Sequence, residues 1–169
     1  YGVKAKIKKF LFASSGGVYG QLKGAASEEA MLTVNHTLNF YQNTKLSMEM
    51  LAGNYQKYYD IVTFRFFFVY GTGQKDNMLF SRLIANIREK RPVCIGSLND
   101  IRMNPIYKTD AAQCVYKALQ NTQGNQIFNI AGKEVAALGN IVRILAQKMG
   151  TDVQVNYEDK GQRDLIADI

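Results

Sequence analysis

The chain has 169 residues, 47% of them hydrophobic, and 21 Lys and Arg residues against 14 Asp and Glu residues. This length and this hydrophobic content suit one globular domain with a buried core, which excludes a disordered chain. The net charge of +7 would allow nucleic acid or a phosphate-bearing small molecule as a partner. The sequence has no RNA-recognition signature, no zinc-finger spacing and no apolar stretch long enough to cross a bilayer. We therefore expect no nucleic-acid or membrane binding.

Strand and loop patterns occupy the first part of the chain. Phe10–Ser14 is an apolar run that ends in paired serines and a glycine-rich turn, as expected of a buried strand leading into a site. Gly16–Thr37 has little periodicity and predicts an active-site loop with room for one helical turn. Ile61–Tyr70 is almost continuously apolar, which favours a parallel strand covered on both faces.

Helical periodicity marks the rest of the chain. Leu38–Tyr59 predicts a long helix with a buried stripe formed by Leu46, Met50, Leu51, Tyr55 and Tyr58. Three further helices are predicted at Asn77–Lys90, Thr109–Gln120 and Gly132–Lys148, and three short strands at Val93–Ile95, Gln126–Ile130 and Val153–Tyr157. Thr109 or Asp110 is the expected cap of the helix that they begin. Strands alternating with helices predict an α/β fold with a mainly parallel sheet.

Cys94 and Cys114 are the two cysteines, and His36 is the one histidine. Two cysteines without CxxC spacing indicate neither a disulfide framework nor a zinc site, and we interpret them as unpaired thiols of a reducing compartment. His36 has no second histidine or cysteine to share a metal, so we interpret it as structural or solvent-facing. No signal peptide is apparent, and we expect a cytoplasmic protein without a metal.

Tyr41 and Lys45 form a Tyr-x-x-x-Lys pair near the start of the long predicted helix. Residues four apart lie on one face of a helix, one turn above the other. A lysine ammonium beside a phenol favours the ionised phenol, so the pair could serve as an acid or base, and a serine hydroxyl from the preceding strand could share the proton. On its own, a Tyr-x-x-x-Lys pair on a helix is usually a solvated surface contact. Only the motifs around it can indicate a catalytic role.

The motifs around this pair occur in the order of a known enzyme family. An apolar strand leads into Ser-Ser-Gly-Gly-Val-Tyr-Gly at 14–20, then come Tyr41-x-x-x-Lys45 and a second apolar strand that ends in Val-Tyr-Gly at 69–71. Over nearly the whole chain this resembles the extended short-chain dehydrogenase/reductases, in their NAD-dependent epimerase/dehydratase branch. The resemblance implies a partial Rossmann-like parallel sheet, with residues 1–75 as the second half of an NAD-binding domain and 76–169 as a mainly substrate-binding α/β region interleaved with the sheet.

The resemblance implies catalytic roles for Ser15, Tyr41 and Lys45. Ser15 stands three positions before the valine of Val-Tyr-Gly, where the family has a serine or threonine that assists the tyrosine, and Ser14 is the alternative and an implied cofactor contact. Tyr41 would be the acid/base, while Lys45 would favour its ionised form and hold the nicotinamide ribose. In this chemistry a sugar hydroxyl loses its proton to the tyrosinate and its carbon loses hydride to NAD, and hydride return to the rotated keto sugar inverts that carbon.

The resemblance also implies substrate contacts. Arg102 matches an arginine that binds the nucleotide diphosphate, for which a guanidinium fork is suited, although a surface pair with Asp100 or Asp110 is the structural alternative. Phe66 is implied beside the cofactor. Phe68 stands where the family's Arg-x-x-Asn has an asparagine that meets the sugar diphosphate. A phenyl ring cannot donate that hydrogen bond, so Phe68 indicates a different substrate or binding mode.

Two absences narrow the expected activity. Gly16 and Gly17 stand where the family's 4,6-dehydratases have an Asp-Glu pair, so epimerisation or simple redox chemistry is favoured over dehydration. No Gly-x-x-Gly-x-x-Gly turn follows a predicted strand, so the pyrophosphate-binding part of a Rossmann domain is not located. We expect the C-terminal portion of a nucleotide-sugar epimerase, an isomerase of oxidoreductase type, that is inactive without its N-terminal half.

Several alternatives stay open. A catalytically silent sugar-nucleotide-binding or regulatory protein of the same fold would also be consistent with Phe68 and with the absent dinucleotide motif. NAD is the expected cofactor and NADP is not excluded, since that choice depends on residues expected outside this chain. A homodimer is expected of the full-length protein only, through helices that flank the active site.

Overall fold

A computed structural model of the chain describes residues 1–20, 24–32, 37–96, 101–158 and 164–169. Within these ranges the helices are α1 (Phe40–Gly53), α2 (Leu79–Arg88), α3 (Lys108–Asn121) and α4 (Leu138–Met149), with a short 3-10 helix at Gly16–Tyr19. The strands are β1 (Lys9–Ser15), β2 (Asp60–Phe66), β3 (Val69–Tyr70), β4 (Val93–Ile95), β5 (Arg102–Met103), β6 (Ile106–Tyr107), β7 (Gln126–Ile130), β8 (Ala136–Ala137) and β9 (Val155–Tyr157). None of these helices combines the length and apolarity that crossing a bilayer requires.

The central sheet consists of three parallel strands in the order β1-β2-β7. Ser15 of β1 lies opposite Phe66 of β2, which in turn lies opposite Ile130 of β7, so the carboxyl ends of all three strands meet at one edge. Residues 61–65 of β2 are all buried, as predicted for a parallel strand covered on both faces. Ligands of open parallel sheets bind at the carboxyl ends of the strands, which is where β1 places its paired serines.

The long strand predicted at Ile61–Tyr70 is interrupted. The central strand β2 ends at Phe66, and β3 begins at Val69 in a separate two-stranded parallel sheet with β6. Between them Phe68 has a φ of 41°, in the left-handed region, which redirects the chain. Two more small sheets pair β4 with β9 in parallel and β5 with β8 in antiparallel orientation.

Three clusters of buried apolar side chains form the core. The first lies between α2, α4 and β4, the second under the 3-10 helix and the start of α1, and the third between β2, β7 and α3. Three consecutive phenylalanines at the end of β2 contact all three clusters. Phe66 packs on the third cluster, Phe67 lies within the second and Phe68 packs on the first. The end of β2 is therefore the point where the cores meet.

Helix α1 begins with a capping box and ends earlier than predicted. The Asn39 side chain accepts from the Gln42 backbone N–H, and the Gln42 side chain accepts from the Asn39 backbone N–H, each at 2.9 Å. The C-terminal cap follows Gly53, so Tyr55 and Tyr58 lie beyond the helix.

The predicted buried stripe of α1 is wrong except at Leu46. Leu46 is 4% exposed, whereas Met50 and Leu51 are 63% and 59% exposed, and Tyr55 and Tyr58 are 46% and 52% exposed. Lys45 and Glu49 hydrogen-bond to β1 and β2, so the face of α1 that carries Met50 and Leu51 points away from the sheet. The apolar stripe thus forms an outer surface rather than a core contact.

The predicted cap of α3 and the predicted start of α4 are also wrong, although α3 contains the whole of the predicted helix Thr109–Gln120. Tyr107 is the N-terminal cap residue of α3, without a side-chain hydrogen bond, and Asp110 lies within the first turn instead of capping it. Helix α4 starts at Leu138 rather than Gly132. The backbone N–H of Gly132 donates to the Asn104 carbonyl at 3.0 Å, and β8 pairs with β5. Because the backbone from Gly132 to β8 makes these contacts, the helix begins only after β8.

Candidate active site

Helix α1 places Lys45 against the end of β1. The Lys45 Nζ donates to the Ala13 carbonyl at 2.7 Å and lies 5.6 Å from the centre of the Tyr41 ring and 5.4 Å from that of Phe12. These are distances at which an ammonium is attracted to an aromatic face. Tyr41 itself is 57% exposed, and no described residue hydrogen-bonds to its hydroxyl. The predicted pair is therefore assembled, with its phenol open to a ligand.

The two serines at the end of β1 have different environments. Ser14 is buried, and its hydroxyl donates to the Glu49 carboxylate of α1. The Ser15 Oγ accepts from the Gly17 backbone N–H at 3.1 Å and so caps the 3-10 helix. A hydroxyl that accepts one bond keeps its own proton to donate. Ser15 thus retains a donor at the sheet edge, whereas the proton of Ser14 is already used.

A buried polar network that the sequence analysis missed lies behind these residues. Arg65 of β2 pairs with Glu49 through Nη2 at 2.7 Å and Nε at 3.2 Å, and its Nη1 donates to the Tyr19 hydroxyl at 2.8 Å. The Tyr19 hydroxyl donates in turn to Asn129 Oδ1 of β7 at 2.9 Å. Two signals could have revealed it: an arginine inside an apolar buried strand, and an acidic residue four positions after Lys45.

The network determines the charge states of its members. Burial alone would lower the pKa of the Arg65 guanidinium, but the hydrogen bonds with Glu49 and Tyr19 and the negative charge of Glu49 outweigh it and raise the pKa above its ordinary value. Burial raises the pKa of the Tyr19 phenol above the usual 10.0, and the hydrogen bond from Arg65 opposes only part of that rise. Arg65 is consequently charged and Tyr19 neutral near neutral pH.

Arg102 lies on β5 and forms an exposed pair with Asp164. The Arg102 Nη2 and Nε donate to Asp164 Oδ2 at 2.6 and 2.8 Å, and the Arg102 backbone N–H donates to Oδ1 at 2.7 Å. The alternative pair with Asp110 is therefore wrong, because the C-terminal segment brings a different aspartate to Arg102. Asp100 and His36 lie outside the described residues. No hydrogen bond in the described ranges joins Arg102 to Tyr41 or Lys45.

Phe66 and Phe68 lie on different sides of the end of β2. Phe66 is opposite Ser15 in the strand register, and its ring centre is 6.1 Å from that of Phe64. Phe68 packs against the core between α2 and α4. Its ring takes part in the apolar packing of that core.

The part of the chain after residue 76 contains a cavity of about 630 Å³ between α2 and β4. Its lining includes the side chains of Arg82, Asn86 and Arg91, together with exposed Cys94 of β4. Cys114 is also exposed, and both thiols are unpaired. Asp76 and Glu158 line the same cavity, so its two arginines are balanced by two carboxylates.

Comparison with known protein families gives a match over residues 1–131 to the NAD dependent epimerase/dehydratase family. The "Uncharacterized UDP-glucose epimerase YtcB" of Bacillus subtilis (strain 168) is 31% identical over 157 residues, which cover 91% of this chain and 49% of that protein. The "Uncharacterized protein MJ1055" of Methanocaldococcus jannaschii is 26% identical over 89% of this chain and 47% of its own length. The chain spans about half the length of these curated relatives.

Solved structures agree with the fold predicted from sequence. A UDP-glucuronic acid 4-epimerase from Bacillus cereus, crystallised with NAD, has a TM-score of 0.88 and 31% identity over 99% of this chain and 54% of its own. A dTDP-glucose 4,6-dehydratase from Bacillus anthracis, at 21% identity and a TM-score of 0.86, shows the fold alone, over 99% of this chain and 55% of its own. The fold is thus Rossmann-like α/β as predicted, and the chain belongs to the NAD-dependent epimerase/dehydratase family.

Proposed function

We propose that this chain is the catalytic and substrate-binding part of an NAD-dependent nucleotide-sugar epimerase in which Tyr41 is the acid/base. The observation that supports this most is the position of the Lys45 ammonium, held by the Ala13 carbonyl at 2.7 Å and 5.6 Å from the Tyr41 ring centre. The names of a UDP-glucose epimerase and a UDP-glucuronic acid 4-epimerase among the relatives support the substrate class.

Tyr41 and Lys45 of α1, beside the end of β1, fit the nicotinamide ribose of NAD. When bound, NAD would supply the hydride acceptor. Lys45 uses one of its three N–H donors on Ala13, and the Tyr41 hydroxyl has no partner within the described ranges, so both have donors for ribose hydroxyls. Phe66 borders Ser15 at the same edge. Ser14 fits this role less well, because it is buried and donates to Glu49. NADP stays an alternative.

The proposed chemistry needs one proton to move at the Tyr41 hydroxyl oxygen. The Tyr41 oxygen would take the proton that a sugar hydroxyl loses and return it in the reverse step, and the Lys45 ammonium lies 5.6 Å from the centre of the Tyr41 ring. Ser15 Oγ donates its remaining hydrogen to the same sugar oxygen and orients it. General acid–base catalysis of this kind contributes about 10²- to 10⁴-fold to a rate.

We assign substrate binding mainly to residues 76–169 and the NAD-proximal part to residues 1–75. Arg102 offers a planar fork of donors that suits a diphosphate, and a diphosphate would have to compete with Asp164 for it. The cavity between α2 and β4, which Arg82 and Arg91 line together with Asp76 and Glu158, lies in this substrate-binding part of the chain. We also propose a homodimer of the full-length protein through the exposed Met50 and Leu51 side of α1.

The second candidate is a catalytically silent sugar-nucleotide-binding protein. Phe68 favours it, because this ring packs on the core instead of offering a hydrogen bond to a diphosphate. Such a protein would bind a UDP-sugar without turning it over.

The test is turnover of UDP-glucose and UDP-glucuronic acid by a full-length protein that contains this chain, compared with its Tyr41→Phe variant. We expect turnover to fall by about 10²- to 10⁴-fold, because the acid/base is lost. Tyr116→Phe is the matched control, since Tyr116 is 59% exposed on α3. Unchanged turnover in Tyr41→Phe would refute the assignment, and UDP-sugar binding without turnover in the parent would favour the silent protein.

A further inference from the structure

Glu49 continues the series that Tyr41 and Lys45 begin, because the three residues are four apart along α1. Tyr41 is exposed and Lys45 is partly buried, whereas the Glu49 side chain is only 9% exposed. A buried carboxylate is costly unless its oxygens are bonded, and here both oxygens have partners. Ser14 and the Arg65 Nε donate to Oε1, and the Arg65 Nη2 donates to Oε2.

These bonds connect α1 to two neighbouring strands. Through Ser14, Glu49 joins the strand whose Ala13 carbonyl receives the Lys45 ammonium, and through Arg65 it joins the central strand β2. Arg65 extends the connection through Tyr19 to Asn129 on β7. The carboxylate is therefore fixed relative to all three strands of the central sheet.

Apolar packing alone gives α1 few fixed points on the sheet. Leu46 and Ala52 are its buried apolar side chains, while Met50 and Leu51 face outward. Apolar contact is not directional, so two small contacts leave the rotation of a helix about its axis weakly defined. A two-point arginine–carboxylate pair has a defined geometry, and it sets an orientation even where it adds little to stability.

We propose that Glu49 is a positioning residue of the active site, which sets the rotation of α1 so that Lys45 reaches the Ala13 carbonyl and stays beside the Tyr41 ring. This inference rests on the proposed function for its catalytic consequence. Its structural content concerns the position of Lys45 and is measurable without catalysis. The competing explanation is a salt bridge that only stabilises the fold.

Two variants of the 169-residue chain separate these explanations. Glu49→Gln leaves the Arg65 charge buried without its counter-ion, and should lower stability in either case. The double variant Glu49→Met/Arg65→Met removes both charges together and replaces them with apolar side chains, so that most of the lost stability should return, less the cost of one partner each for Ser14 and Tyr19. Only the positioning role predicts that the site stays disturbed in the double variant while stability returns.

The readouts are the Cζ chemical shift of Tyr41 in tyrosine-labelled protein and amide hydrogen exchange along α1. We expect Glu49→Gln and the double variant both to move the Tyr41 signal and to accelerate exchange in α1 by about tenfold or more relative to α4. Ile87→Val is the matched control, because Ile87 is fully buried in the core between α2 and α4. It should lower stability and leave the Tyr41 signal in place.

Recovery of both stability and the Tyr41 signal in the double variant would overturn the proposal, as would an unchanged Tyr41 signal in Glu49→Gln. In a full-length protein that turns over substrate, Glu49→Gln should lower kcat with KM little changed, because the binding residues remain. If the parent shows no turnover, the proposed function fails, but the exchange and chemical-shift results still decide the position of α1.

Discussion

The Phe67 ring covers Gly16 so closely that a methyl group at Gly16 would lie 2.6 Å from its Cε2 and Cζ atoms. Gly16 begins the 3-10 helix that Ser15 caps, and Phe67 is the first residue after β2. The contact therefore fixes the turn after one strand against the exit of the next. A glycine is needed here for space, since Gly16 has no positive φ.

Gly16→Ala should lower the free energy of unfolding by about 1–3 kcal/mol, because the added methyl overlaps a fully buried ring. Gly53→Ala is the control: nothing lies within 4 Å of its added Cβ, and in helix α1 it should raise the free energy of unfolding by about 0.5–1 kcal/mol. Urea unfolding measures both. Equal stability of Gly16→Ala and the parent would show that the ring moves aside freely.

At Phe68 we expect glycine to be more stable than alanine, the reverse of the usual order. Phe68 has a φ of 41°, which disfavours residues with a Cβ by about 1–2 kcal/mol. Phe68→Gly should therefore exceed Phe68→Ala in free energy of unfolding by about 1 kcal/mol. The same pair at Phe66, within β2, should give the ordinary order. If alanine is the more stable residue at both positions, the left-handed conformation of Phe68 is wrong.

The Arg102–Asp164 pair predicts a pH dependence in acid. Partial burial would raise the pKa of the Asp164 carboxyl, but the hydrogen bonds and charge of Arg102 outweigh it and hold the pKa below the usual 3.8. A carboxyl with a lowered folded pKa stabilises the fold above its unfolded pKa of about 3.9, and that stabilisation is lost as pH falls through the folded pKa.

Asp164→Asn should accordingly lose less stability than the parent when pH falls from about 6 to about 3. Urea unfolding at a series of pH values measures the difference. Asp152→Asn, at an exposed position, serves as the control and should follow the parent. Parallel curves for Asp164→Asn and the parent would show that the pair has no effect on folding.

The outward face of α1 predicts self-association of the full-length protein. Leu51 is 59% exposed, and Leu51→Lys would place a charge in the proposed dimer contact. Sedimentation velocity should show the dimer fraction falling in this variant. Leu119→Lys on α3, where Leu119 is 49% exposed, should leave it unchanged. A monomeric parent, or an equal effect of both variants, would contradict the proposed contact.

The strands of the central sheet were predictable. Phe10–Ser14 falls within β1, Gln126–Ile130 is β7 itself, and the buried residues 61–65 of β2 lie in the almost continuously apolar run predicted as a strand covered on both faces. Helix faces were less predictable. Periodicity marked Met50 and Leu51 of α1 as buried, but it does not tell an apolar stripe that faces the sheet from one that faces a partner or solvent.

The local part of the candidate site was predictable, and the long-range part was not. The spacing of Tyr41 and Lys45 is a property of one helix, so five residues of sequence contain it. The pair of Glu49 with Arg65 joins residues 16 apart on different elements, and that of Arg102 with Asp164 joins residues 62 apart. Such pairs depend on how elements pack, which no local pattern determines.

Transient reduction of NAD in a single turnover would measure the acid/base role of Tyr41 without contributions from product release. A full-length protein with bound NAD is mixed rapidly with UDP-glucuronic acid or UDP-glucose, and the near-ultraviolet absorbance of NADH is followed. We expect a rise and fall of NADH in the parent and a rise slowed by about 10²-fold or more in Tyr41→Phe, with NAD still bound. An NADH transient of the same rate and amplitude in Tyr41→Phe would contradict the role of Tyr41 as the acid/base.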